Sequence, residues 1–264
     1  MKEKISSLQN SKIKEIIKLK KSRERKKQGL FLIEGRHEIS LAIKAGIEIK
    51  QLCFCSEFSS DDNFAVNIED YLNFEISEEI FCKLSYRENP DGYLAVARKQ
   101  DLSLKDIKLS ENSLVVILDS VEKPGNIGAI MRSMDAVGAD VLILDNPRTD
   151  IYNPNVIRCS LGTVFTKPVV ESNFTEINAW IKEKGIKLYT LSPDTENDYL
   201  ESDFTSSTAL LLGAEHEGVS SKWLNSEHTN LKIEMAGTID SLNVSVSAAV
   251  VLFEVARQRK RNKT

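Results

Sequence analysis

Five short runs rich in Val, Ile and Leu constrain the fold of this chain more than any other feature. They are SLVVILDS (113–120), DVLILDN (140–146), KLYTLS (187–192), ALLLGAE (209–215) and LKIEM (231–235). Strands with one solvated face alternate apolar and polar residues. Most of these runs do not alternate, so they read as strands buried on both sides. Helical stretches lie between them: NIGAIMRSMDAVGA (126–139), NVIRCSLGTVF (155–165), FTEINAWIKEKG (174–185) and a long final helix over 241–261. Strands alternating with helices predict an α/β fold with a parallel sheet covered on both faces. Ligands of such sheets bind beyond the carboxyl ends of the strands, which directs attention to the strand-exit loops.

The first half is patterned differently. Residues 11–27 read as one helix with an apolar stripe of Ile13, Ile16, Ile17 and Leu19 under a basic face. A strand at 30–35, a helix stopped by Gly46, a strand at 49–55, a short helix at 78–85 and a strand at 92–99 follow. This is a small α/β unit over 1–100. A polar, weakly patterned stretch at 101–112 reads as a linker, and 113–264 as the second domain.

Charge separates along the chain. Residues 1–27 hold eleven Lys/Arg against three Glu, and residues 257–264 hold five Lys/Arg and no acid, although the whole chain has a net charge of −4. Basic ends on an acidic body fit a polyanion such as nucleic acid; a solvated helix and a frayed tail are the alternative. No run of 18 apolar residues is present, which argues against a membrane span, and the first residues carry no secretory signal pattern. Cys53, Cys55, Cys82 and Cys159 form no CxxC pair and read as reduced, buried thiols of a cytoplasmic protein.

Three exit loops hold the polar residues. In DSVEKPGNIGAIMR, Pro124-Gly125 makes a turn, Asn126 can cap the next helix, and Arg132 follows six residues later. A Gly-x-Gly-x-x-Gly dinucleotide fingerprint is absent there. In LLLGAEHEGVS, Gly213 and Gly218 permit a sharp turn or a close backbone approach, beside Glu215, His216 and Glu217. That spacing fits no common zinc pattern, so no metal is expected. In IEMAGTIDSLNVSVSAA a strand turns through Ala236-Gly237 into a helix that opens with Ser241, Asn243, Ser245 and Ser247. Ser241 is a candidate cap, and Asn243 can point into the crevice.

In their order and spacing, NIGAIMRSMDAVGAD, LLLGAEHEGVS and IEMAGTIDSLNVSVSAAVVLFEVARQR resemble the three motifs of the SpoU (TrmH-like) RNA 2′-O-ribose methyltransferases. The segment KISSLQNSKIKEIIKLKKSRERKKQGLFLIEGRHEI resembles the ribosomal-protein-like RNA-binding domain that many members carry. The resemblance implies a C-terminal SPOUT domain with a trefoil knot, a homodimer, S-adenosylmethionine as cofactor and no metal. It implies that RNA, ribosomal RNA first, is methylated at a ribose. It assigns Asn126 and Arg132 to the target ribose, Glu215 to the second motif's acid, and Ser241 and Asn243 to the third motif's polar pair. Leu191, Gly213, Ile233, Met235 and Leu242 fall at its cofactor-binding positions. Glu234 stands where many relatives have proline. Three other readings stay open: a transfer RNA substrate, a Rossmann methyltransferase using Asp145, and a non-catalytic RNA-binding protein on the same fold.

Overall fold

The computed structural model describes residues 3–59, 71–214 and 217–261. Up to Gln100 the elements are β1 (Glu3–Ile5), α1 (Ser11–Lys18), α2 (Ser22–Gln28), β2 (Leu30–Glu34), α3 (Arg36–Lys44), β3 (Ile49–Phe54), β4 (Leu72–Ile76), α4 (Glu78–Leu84) and β5 (Tyr93–Arg98). Then come β6 (Leu114–Asp119), α5 (Pro124–Val137), β7 (Val141–Asp145), α6 (Pro154–Cys159), α7 (Thr163–Thr166), β8 (Val169–Ser172) and α8 (Phe174–Glu183). The chain ends with β9 (Lys187–Leu191), β10 (Thr208–Leu212), α9 (Ser221–Leu224), β11 (Thr229–Leu231) and α10 (Val244–Arg261). They form two units, Met1–Gln100 with Asp150–Thr166, and Asp101–Thr149 with Lys167–Thr264.

The first unit holds a mixed sheet in the order β1-β4-β3-β5-β2. β4 runs parallel to β1 and β3, and β5 antiparallel to β3 and β2. β1 and β4 are too short and too polar to announce themselves, and sheet pairing supplies what their sequences lack. The helix expected over 11–27 is two helices, broken at Leu19–Lys21. The carbonyls freed at Leu19 and Lys20 accept hydrogen bonds from Arg25 Nη1 at 2.9 and 3.0 Å. Arg25 Nε donates to Asp150 Oδ2 at 2.7 Å, and Arg25 is only 2% exposed. One arginine of the supposed basic face is therefore interior. The segment 150–166 joins this unit through apolar contact as well: the Phe31 ring lies 4.2 Å from Tyr152 and 5.9 Å from Phe165.

The second unit holds a six-stranded sheet in the order β11-β9-β10-β6-β7-β8, with every pairing parallel. Val115, Ile117, Val141, Ile143, Ala209 and Leu211 pack with Ile177, Trp180 and Ile181 of α8 and Trp223 of α9. The alternate residues Val116, Leu118, Leu142, Leu144 and Leu210 are equally buried and point to the other face. α10 packs on α5 and touches β10. Leu102, Leu104, Ile107 and Leu109, in the stretch expected as a linker, pack against this unit's core.

Two boundaries differ from expectation. The last strand covers Thr229–Leu231, not 231–235, so Ile233 and Met235 lie off the sheet. The last helix starts at Val244, not 241. The basic tail is partly committed internally. Arg257 donates to both Glu254 carboxylate oxygens, and Arg259 to the carbonyls of Asn112, Ser113, Phe204 and Ser206. The four cysteines are free thiols. Cys53 and Cys55 are buried, but Cys82 is exposed and Cys159 half-buried, so burial holds for two.

Candidate active site

Parallel pairing brings the carboxyl ends of β6, β7, β9 and β10 to one edge, and the polar residues gather there. Asp119 and Asp145 end adjacent strands in register. The next residues, Ser120 and Asn146, adopt left-handed φ of 59° and 50°, which turns the chain sharply away from the sheet. Asp119 Oδ2 accepts from the Ser220 amide at 2.8 Å. Asp145, 1% exposed, accepts from the Trp223 indole at 2.6 Å and pairs with Lys222 at 2.7 Å. Both aspartates are spent on anchoring the segment around α9. Asp145 is therefore not free to bind a ribose, and the Rossmann reading loses its acid.

The β10 exit is a closed loop. Ala214 and Gly218 exchange backbone hydrogen bonds, both 3.0 Å. A Cβ on Gly213 would lie 2.1 Å from the Gly218 carbonyl carbon, so only glycine fits where the two backbones cross. Glu215, the expected acid of this loop, and His216 lie outside the described residues. Arg148 pairs with Glu122 and, at 2.8 Å, with Glu217, strapping the exits of β6, β7 and β10 together.

The N-cap of α5 is Lys123, with Pro124 in the first turn, so Asn126 sits inside the helix and is not its cap. Instead, Asn126 Oδ1 accepts from Asn243 Nδ2 at 3.2 Å. Asn243, not Ser241, caps α10. Its Oδ1 accepts from the Ser245 amide at 2.9 Å and the Ser245 hydroxyl at 2.7 Å, and its carbonyl accepts from the Val246 and Ser247 amides, both 2.9 Å. The cluster of small polar residues that opens this helix thus has a local cause: one asparagine satisfies the helix end and reaches across to α5.

Between these loops lies a cavity of about 470 Å³, within the range of small-molecule sites. Leu191, Gly213, Ile233, Met235 and Leu242 all line it, as do Ser241 and Asn243. Asn126 joins through its bond to Asn243. Arg132 does not line the cavity; it is exposed on α5, and six residues of helix turn it about 120° from Asn126. Sequence reasoning assigned no site role to Lys123, Asp240 or Ser247, which also line the cavity. Their signal was position alone: Lys123 precedes the helix-starting proline, Asp240 precedes Ser241, and Ser247 extends the serine series by one turn.

A sequence model of the SpoU rRNA methylase family matches residues 113–253, and one of an MRM3-like substrate binding domain matches residues 10–95. The 23S rRNA (guanosine(2553)-2'-O)-methyltransferase RlmP of Bacillus subtilis (strain 168) is 31% identical over 251 residues, covering 95% of this chain and 98% of its own. A solved RNA 2'-O ribose methyltransferase superposes with a TM-score of 0.86 at 38% identity, over 97% of this chain and 99% of the other. The SpoU methyltransferase AviRb of Streptomyces viridochromogenes, solved in complex with the cofactor AdoMet, gives 0.87 at 29% identity, over 96% of this chain and 99% of its own. Motifs, parallel sheet and matching length agree: the chain belongs to the SpoU rRNA methylase family.

Proposed function

We propose that this chain transfers a methyl group from S-adenosylmethionine to a ribose 2′-hydroxyl of ribosomal RNA. The observation that carries the reading is convergence. Five residues from four separate segments, Leu191, Gly213, Ile233, Met235 and Leu242, line one cavity with the Asn126–Asn243 pair beside it. The cavity fits the cofactor chemically, since apolar walls suit a purine and the chain narrows to bare glycine backbone at Gly213. Bound there, S-adenosylmethionine supplies a methyl group already activated by its sulfonium. The chain's task is then alignment of the ribose oxygen, which contributes roughly 7–11 kcal/mol in favourable cases. Asn126 and Asn243 fix the two helix starts against each other at the point of delivery. A guanidinium offers five donors and no acceptor, so Arg132 acts by holding a phosphate or a developing oxyanion rather than as a base.

The same reading takes 1–100 as the RNA-binding domain and 113–264 as the SPOUT methyltransferase domain, knotted as a trefoil, with 101–112 packed on the second unit and 150–166 on the first. It places the protein in the cytoplasm, a reading that fits free thiols; among the described residues no helix is long and apolar enough to cross a membrane, and no metal-binding cluster occurs. It also takes the protein as a homodimer, because Val246 and Phe253, 46% and 54% exposed, form an apolar stripe on the outer face of α10.

The deciding experiment supplies labelled S-adenosylmethionine with ribosomal and transfer RNA and maps 2′-O-methyl groups. Label at one ribosomal ribose supports the proposal. Label in transfer RNA overturns the substrate, and cofactor binding without transfer supports the non-catalytic reading.

A further inference from the structure

The Asn126–Asn243 hydrogen bond ties together the segments that lead into α5 and α10. A charged residue stands three positions before each asparagine, Lys123 before Asn126 and Asp240 before Asn243. Both line the cavity, and they are the only charged residues in its described lining. Neither side chain has a hydrogen-bond or ion-pair partner among the described residues. The backbone that carries Lys123 is held firmly, because its carbonyl accepts from the Asn126 and Ile127 amides at 3.0 and 3.3 Å. The rest of the lining is neutral, and Leu191, Leu212, Leu231, Ile233 and Met235 make part of it strongly apolar.

The lining is therefore of two chemical kinds. Its apolar side chains suit a purine. Its two charged residues are one cation and one anion, each three positions before an asparagine of the bonded pair. S-adenosylmethionine has the same division: an adenosine at one end, and an amino-acid group with a carboxylate and an ammonium at the other. A carboxylate set against the apolar side chains would be desolvated without a partner. We infer that Lys123 holds the carboxylate of the amino-acid group and Asp240 its ammonium. The sulfonium, which joins the two halves of the cofactor, is then held between the apolar and the charged residues. This inference rests on the proposed cofactor site and adds the polarity with which the cofactor enters it.

Two ligands separate the halves: S-adenosylhomocysteine carries the amino-acid group, and methylthioadenosine lacks it. Calorimetric affinities are measured on the full chain for both. Lys123→Ala is expected to weaken S-adenosylhomocysteine by about tenfold or more, the scale of one charge-assisted hydrogen bond, and to leave methylthioadenosine within about twofold. Lys123→Arg restores most of the affinity. Asp240→Asn gives the same selective pattern. A measurement on the unaltered protein guards against a folding defect: decarboxylated S-adenosylmethionine must bind more weakly than the intact cofactor, and Lys123→Ala must add little to that difference. Equal weakening of both ligands overturns the inference, and for Asp240 it points to the ribose hydroxyls instead. Unchanged affinity for both also overturns it, and if RNA binding then falls, Lys123 binds a phosphate of the RNA. If neither ligand binds the unaltered protein, the cofactor reading itself has failed.

Discussion

Single residues divide into those that hold the exit loops in place and those left to act. Asp119, Asp145 and Arg148 belong to the first group, each committed to a loop or to α9. In the proposed reading Arg132 belongs to the second. Arg132→Ala is expected to leave S-adenosylhomocysteine affinity within a few-fold and to lower methyl transfer by about 10²-fold, the scale of removing one oxyanion-type hydrogen bond. Equal single-turnover rates at saturating RNA would exclude a catalytic role. Arg25 and Asp150 form the deepest ion pair among the described residues of the first unit, 2% and 3% exposed at their side chains. Burial pushes the Asp150 carboxyl up, but the hydrogen bond and charge of Arg25, with Lys99 beside it, outweigh burial and hold its pKa below the usual value. A depressed carboxylate stabilises the fold above its unfolded pKa of about 3.9, and that contribution disappears as pH falls through the folded value. Asp150→Asn, which leaves Arg25 without its anion, should therefore cost about 3–5 kcal/mol at pH 7 and progressively less below about pH 4. Urea midpoints of both proteins across that range are the measurement; a constant difference would contradict the sign.

At the scale of elements, α1 and α2 are more than a basic arm. Ile13, Ile16 and Leu19 are core residues of the first unit, so removing 1–27 would unfold that unit and say nothing about RNA. Lys14, Lys26 and Lys27 are exposed and are the residues to change. Replacing all three with Gln should weaken RNA binding and flatten its log–log salt slope by about 0.7–0.9 for each phosphate no longer neutralised, with cofactor affinity unaltered. An unchanged slope would assign RNA binding to another surface. On α10 the inner residues Val244, Ala248, Val251, Leu252 and Val255 are buried within the chain, whereas Val246 and Phe253 face outward. Phe253→Glu puts a charge in the middle of that outer stripe. Sedimentation at micromolar concentration should show a dimer for the natural protein and the 29.6 kDa monomer for the variant. A natural protein that already sediments as a monomer would remove the dimer from the proposal.

For the whole molecule, the cavity lies in one unit, so its ligand should stabilise that unit selectively. S-adenosylhomocysteine at about 100 times its Kd should add about 2.7 kcal/mol and raise that unit's calorimetric transition. A rise shared equally by every transition would mean the units unfold as one. Much of this was legible beforehand. Apolar runs such as VVIL and VLIL, short and alternating with helical stretches, read as strands of a parallel sheet buried on both faces. The three polar motifs identified the exit loops, because glycine, proline and asparagine report backbone conformations that few other residues tolerate. Other features were decided only by tertiary structure. Nothing local distinguishes Arg25 from its basic neighbours; its burial follows from an aspartate 125 positions away. The cap of α10 is Asn243 and not Ser241, and Asn126, brought alongside by helix packing, gives Asn243 a second partner. Lys123 and Asp240 became neighbours of one cavity for the same reason. A sequence specifies what each segment buries and how it turns, since those depend on residues a few positions apart. Which polar groups meet depends on the packing of segments more than a hundred residues apart, and that only the folded chain determines.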